Sequence, residues 1–70
     1  MTFNYNKLRG LIKEKGFTES DVAKAIGMTQ WTFSRKLNGL TFFDTNEIKK
    51  MIDLLNVDEN NIHNVFFTQN

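Results

Sequence analysis

The sequence predicts an all-α domain built from five short helices. Apolar residues recur at helical spacing along most of the chain, and no proline interrupts the pattern. Capping residues and glycines, such as Thr18, Gly27 and Asp44, divide this pattern into separate helices. Because 70 residues can enclose only one small core, we expect a single domain over residues 1–70.

The first two helices are delimited by residues that favour helix ends. The first helix spans about residues 5–15 and ends at Gly16. The second begins after Thr18, a good N-cap, and Asp21 three residues later complements the helix dipole. The residues expected to face the core are Leu8, Leu11 and Ile12 in the first helix and Val22, Ala23 and Ile26 in the second.

Three more helices follow. The third runs from a cap at Thr29 to about Asn38, and the fourth begins after Asp44. Glu47, three residues after Asp44, completes the pattern of a capping box, and Asp58 caps a short fifth helix. The residues expected to face the core are Phe33 and Leu37 in the third helix, Ile48, Met51, Ile52 and Leu55 in the fourth, and Ile62, Val65 and Phe66 in the fifth.

The composition argues against several classes of protein. The chain has no cysteine and a single histidine, His63, so we expect no disulfide, no metal site and no cofactor. No carboxylate pair is placed beside a nucleophile, so we expect no catalytic residues and no enzyme activity. No apolar run approaches the roughly 20 residues that span a bilayer, and the first residues lack an apolar signal region. We therefore expect a cytoplasmic protein.

Charge is unevenly distributed along the chain, although the net charge is only +1. Residues 1–50 contain nine Lys and Arg and five Asp and Glu, which gives +4. Residues 51–70 contain three acidic residues and no Lys or Arg, which gives −3. This asymmetry indicates that one face of the domain meets a polyanion.

The stretch from Thr18 to Gly39 is typical of a helix-turn-helix, which we predict over about residues 18–39. The small side chain of Ala23 permits a close crossing of two helices, and Gly27 accepts the left-handed backbone that the turn favours. In such a motif the second helix can enter the major groove of DNA.

Five segments occur in an order and spacing that resemble a known family. They are residues 8–16, 22–27, 34–39, 47–48 and 55–57. Together they resemble the XRE family, the small phage helix-turn-helix repressors of the Cro and lambda-repressor type. The resemblance implies a lambda-repressor-like domain that binds operator DNA, usually as a dimer, and blocks promoter access. It also implies a phage or prophage gene expressed in a bacterial cytoplasm, and we expect no small-molecule effector.

The resemblance assigns roles along the third helix. Gln can pair with adenine and Arg with guanine through two hydrogen bonds, and an exposed Trp offers apolar contact to a thymine methyl group. Hydroxyl groups and helix N-termini can hold a phosphate. The expected base-contacting residues are Gln30, Trp31 and Arg35, with Thr32 and Ser34 as nearby candidates. The expected phosphate-contacting residues are Thr18, Thr29, Lys36, Asn38 and Thr41.

Two positions depart from the family's pattern. Lys36 stands where most members have an apolar residue three positions after Phe33, which indicates a slightly different roll of the third helix. Glu19 stands where many members have a glutamine that holds a phosphate, and a carboxylate there would repel the DNA backbone. Outside the motif, Arg35 would be interpreted as a solvated side chain and Trp31 as a core or interface aromatic.

The C-terminal helix carries more apolar surface than a short terminal helix should expose. Residues at about 62–67 either pack onto the core or form a two-fold dimer contact, which would place two recognition helices about one DNA turn apart. The residues expected at this dimer contact are Val65, Phe66 and Phe67.

Two function hypotheses of different classes remain open. The first is a sequence-specific transcriptional regulator that binds double-stranded operator DNA as a homodimer. The second is a protein-interaction module, such as an antirepressor or antitoxin, that binds another regulator. The first is the leading hypothesis, and the low net charge, Glu19 and the exposed aromatic residues keep the second open. Neither hypothesis involves a membrane.

Overall fold

The computed structural model describes residues 3–69, in which five α-helices surround one core. The helices are α1 (Asn6–Glu14), α2 (Glu19–Ala25), α3 (Gln30–Leu37), α4 (Thr45–Leu55) and α5 (Ile62–Phe66). A 3-10 turn at Glu59–Asn61 leads into α5. Within residues 3–69 there is no β-strand, and Phe3 and Gln69 form an isolated antiparallel bridge. The predicted five-helix, all-α fold is confirmed.

The helix ends lie close to the positions that the capping residues predict. Thr18 accepts a hydrogen bond from the Asp21 amide, and the Asp21 carboxylate accepts one from the Thr18 amide, so both halves of a capping box are present. Asp44 and Glu47 form a second capping box at the start of α4. Asp58 caps the 3-10 turn through the amide of the second residue that follows it. Local hydrogen bonding therefore sets where most of the helices begin.

The core contains residues from all five helices. Its buried members include the predicted inward-facing residues of α2 and α3, whereas Leu11, Ile48, Ile52 and Ile62 are only partly buried against it. Two buried aromatic residues, Tyr5 and Phe43, lie outside the helices and were not predicted from periodicity. The buried residues are Tyr5, Leu8, Ile12, Val22, Ala23, Ile26, Phe33, Leu37, Phe43, Met51, Leu55, Val65 and Phe66.

The connection between α2 and α3 contains Gly27 at a backbone φ of +86°. That left-handed conformation suits glycine, which has no side chain to clash. The amide of Met28 donates a hydrogen bond to the carbonyl of Ala23 at 2.9 Å, which closes the end of α2. The Ala23 side chain is buried in the core, and α2 packs against α3. A short connection therefore holds α3 against α2.

The two ends of the described chain are joined. The amide of Asn4 donates a hydrogen bond to the carbonyl of Thr68, and the ring of Phe3 packs edge-on against the rings of Phe42 and Phe67. This places the segment before α1 beside the segment after α5.

Two kinds of feature are not found within residues 3–69. No helix there is both long and apolar enough to cross a membrane. Nor do three or more His, Cys, Asp or Glu side chains come together in that range as a metal site would require.

Candidate functional site

The outer face of α3 presents a tryptophan to solvent. The Trp31 side chain is 70% exposed, as expected from its position two residues before the buried Phe33. Arg35, one helical turn later, places its guanidinium carbon 4.9 Å from the centroid of the Trp31 ring. This distance is within the range of a cation–π contact. Trp31 and Arg35, which we call the Trp31–Arg35 pair, therefore form one surface unit.

The other residues expected to contact bases lie on the same helix but differ in exposure. Gln30 is exposed at the first position of α3, whereas Thr32 and Ser34 are partly buried. The hydroxyl oxygen of Thr32 accepts a hydrogen bond from the Thr29 hydroxyl at 3.0 Å. The structure thus brings Gln30 next to the Trp31–Arg35 pair, and contact of this set with DNA stays a prediction.

Most of the residues expected to contact phosphate already have partners within the chain. The Thr18 and Thr29 hydroxyl oxygens accept hydrogen bonds from the amides of the third residue beyond each. The Asn38 side-chain oxygen accepts one from Arg9 at 2.7 Å. Thr41 is exposed in the connection between α3 and α4. Phosphate contact by these residues and by Lys36 stays a prediction. The Thr29 hydroxyl and the Lys36 ammonium already donate, to Thr32 and Glu47, whereas the Thr18 hydroxyl and the Asn38 amide use only their oxygens.

Lys36 lies between two helices. Its Nζ atom donates a hydrogen bond to Oε1 of Glu47 at 2.7 Å, and the two side chains are only 14% and 18% exposed. The ammonium also lies 5.8 Å from the centroid of the Phe43 ring. Phe33 and Leu37 nevertheless remain fully buried, so α3 accommodates a lysine at the expected apolar position by pairing it.

Glu19 belongs to a small polar cluster at one end of α3. Its carboxylate lies 3.9 Å from Nε of Arg9, the residue that also donates to Asn38. The cluster links α1, the start of α2 and the end of α3, and it brings the opposite charges of Arg9 and Glu19 together at the surface.

The C-terminal residues expected at a dimer contact are mostly core residues. Val65 is 7% exposed and Phe66 is 1% exposed, so neither offers a surface to a second copy. Both residues lie on the buried face of α5, and this helix packs against α1. Phe67 is 36% exposed and packs against Phe3 and His63. Of that set only Phe67 reaches the surface, and homodimer formation stays a prediction.

Two further apolar residues are strongly exposed in the connection after α3. Leu40 is 62% exposed and Phe42 is 66% exposed. The sequence signal for Phe42 is its neighbour Phe43: two adjacent aromatic residues in an irregular segment cannot both enter one small core. No pattern marked Leu40, whose amide donates to the Arg35 carbonyl beyond the end of α3.

The chain is similar to a solved structure of a phage protein. This is the solution structure of the modulator of repression (MOR) of the temperate bacteriophage TP901-1 from Lactococcus lactis. The two chains are 34% identical, the match covers 96% of this chain and 90% of the other, and the TM-score is 0.76. No curated protein sequence matches the chain.

These comparisons correct the assignment to the XRE family. The five segments that suggested it lie on α1 to α4 and at their ends, but the relative with 34% identity is a modulator of repression. The family match covers residues 1–69 and is to a different family. The chain belongs to the family described as "Protein of unknown function (DUF739)".

Proposed function

We propose that this protein regulates phage repression by binding another regulatory protein. The observation that carries the proposal is the 34% identity, over 96% of the chain, to a phage modulator of repression. The similarity extends over nearly the whole domain and therefore supports a related role. A domain of this size has little surface on which a second, unrelated binding site could lie.

The surface of the chain supports a protein partner. Trp31, Leu40 and Phe42 are each more than 60% exposed. Large apolar side chains in contact with water are typical of protein-interaction surfaces when several occur on one small domain. Two basic side chains near α3, Lys36 and Arg9, are less available to bind DNA because they are paired with carboxylates.

A reporter assay tests the proposal. A promoter controlled by the repressor from the same phage genome would drive the reporter, with and without coexpression of this chain. We expect coexpression to change the reporter output, and sedimentation of the two purified proteins without DNA to show a complex. Unchanged output together with two independently sedimenting proteins would contradict the proposal.

Direct contact between α3 and DNA is a second candidate function. It is favoured by the outward position of Gln30 and of the Trp31–Arg35 pair on one helix. Mobility shifts of the chain alone on promoter DNA and on scrambled DNA at fixed salt test it. Preference for promoter DNA that Arg35→Ala relaxes at one base position would support this candidate. Equal or absent binding would leave the protein partner as the proposed target.

A further inference from the structure

The Trp31–Arg35 pair combines an apolar surface with a held positive charge. The indole is 70% exposed, and the guanidinium lies over the ring with 4.9 Å between its carbon and the ring centroid. Stacking restrains an arginine side chain that would otherwise sample many conformers. Binding of a partner to both groups therefore costs less conformational entropy of the Arg35 side chain than binding to a free arginine would.

Arg35 is the basic residue of α3 that has no acidic partner among residues 3–69. α3 contains no Asp or Glu, and its second basic residue, Lys36, is hydrogen-bonded to Glu47 at 2.7 Å. Beyond the end of the helix, Arg9 is occupied by Glu19 and Asn38. An acidic group that approaches the outer face of α3 would therefore meet a single unneutralised guanidinium.

This charge pattern fits a protein surface better than a nucleic acid. A protein that binds the DNA backbone neutralises several phosphates with Lys and Arg side chains. Here one unneutralised guanidinium lies beside an exposed indole, and Leu40 is 62% exposed just past the helix end. The complementary surface is mostly apolar with one carboxylate.

We propose that the Trp31–Arg35 pair is the docking site for a partner-protein surface on which an apolar side chain lies next to an Asp or Glu. The indole packs on the apolar side chain, and the guanidinium binds the carboxylate through two parallel N–H···O hydrogen bonds. This proposal rests on the proposed function, because it names the surface through which the partner regulator is bound.

The test uses the fact that Trp31 is the single tryptophan of the chain. A fluorinated tryptophan at this position gives one fluorine NMR signal, which reports directly on the site. The labelled full chain would be titrated with the unlabelled repressor from the same phage genome. It would also be titrated with a short peptide of alternating Leu and Glu and with a matched peptide of Leu and Lys. We expect saturable shifts with the repressor and the acidic peptide, and none with the basic peptide.

Variants test whether the site provides the affinity. We expect Trp31→Ala and Arg35→Glu each to weaken binding of the repressor at least about tenfold, as for central interface residues. Lys50→Glu, the same charge reversal at an exposed position of α4, is the matched control. We expect this control to bind as the unmodified chain does.

The outcomes separate the two proposals. A repressor complex that leaves the fluorine signal and both site variants unaffected would overturn the docking site and keep the proposed function. A response to the acidic peptide without a repressor complex would keep the docking site and contradict the proposed function. No response to either would overturn both. The labelled chain would also be titrated with promoter DNA. A shift of the fluorine signal by this DNA that exceeds the shift by the acidic peptide would overturn a protein docking site in favour of DNA.

Discussion

Lys36 and Glu47 tie α3 to the start of α4 through a hydrogen bond of 2.7 Å between Nζ and Oε1. The same carboxylate oxygen accepts a hydrogen bond from the Asp44 amide at 2.9 Å, so it serves the ion pair and the helix cap together. Both side chains are largely removed from water. Loss of either partner therefore leaves a partly buried charge without its counterpart.

Lys36→Met tests the contribution of this ion pair to stability. We expect the free energy of unfolding to fall by about 1.5–3 kcal/mol, the usual value for a hydrogen bond to a charged group. Methionine keeps most of the aliphatic length of lysine, so the loss reports on the charge and not on packing. Urea unfolding followed by circular dichroism measures the change.

The control for this substitution is Lys49→Met, because Lys49 is exposed on α4. We expect it to alter stability by less than about 0.5 kcal/mol. Combining Lys36→Met with Glu47→Gln completes a double-mutant cycle. If the two effects simply added, the ion pair would contribute nothing and the prediction would be wrong.

Phe42 and Phe43 offer a direct comparison between adjacent aromatic residues. Phe43 is 8% exposed and makes edge contacts with Tyr5 and Phe33 at centroid distances of 5.3 and 5.6 Å. We expect Phe43→Ala to lower the free energy of unfolding by about 3–5 kcal/mol. Thermal unfolding of the purified variant measures the loss.

Phe42→Ala is the matched comparison, since Phe42 is 66% exposed and makes one edge contact, with Phe3. We expect a loss of no more than about 1 kcal/mol. Equal losses for the two variants would show that the segment before α4 does not hold these rings as described.

Helices and their caps were predictable because they depend on residues close in sequence. The Thr18 and Asp44 caps act on amides three residues away, so short patterns contain the required information. Tyr5 was missed as a core residue, and the sequence did not show which of Phe42 and Phe43 is buried, because these residues lie outside any helix, where periodicity does not apply. Pairing of Lys36 with a residue 11 positions later depends on how two helices pack.

The candidate site could be predicted only in part. The exposure of Trp31 followed from its position relative to Phe33 on one helix. Its partner did not follow, because an outward-facing helix with Trp and Arg suits DNA and protein surfaces alike. The burial of Val65 and Phe66 also depended on how α5 docks on α1. Family membership came from the match over residues 1–69, whereas the five segments that suggested the XRE family do not separate it from the family that matches.

Asp21 gives a stability that depends on pH. Hydrogen bonds from the backbone amide and then the side chain of Thr18, followed by attraction to Lys24, hold the pKa of the Asp21 carboxyl below its ordinary value of 3.8. Because folding lowers this pKa, the ionised carboxylate stabilises the folded chain above the unfolded pKa. That stabilisation is lost as pH falls through the lower folded pKa.

We therefore expect Asp21→Asn to be less stable than the unmodified chain at pH 7 and nearly as stable at a pH below both pKa values. Urea unfolding over a pH series measures the difference. A constant difference across the series would mean that the Asp21 charge does not contribute through its cap.

Gly10 and Gly27 should respond in opposite directions to the same substitution. Gly10 is exposed inside α1, where an added Cβ would meet no atom within 4 Å, so Gly10→Ala only reduces the freedom of the unfolded chain. We expect it to raise the free energy of unfolding by about 0.5–1 kcal/mol.

Gly27 also has open space around it, but its φ of +86° strains any residue with a side chain. We expect Gly27→Ala to lower stability by about 1 kcal/mol. Urea unfolding of both variants decides the matter: equal shifts of the same sign would show that the left-handed turn between α2 and α3 does not require glycine.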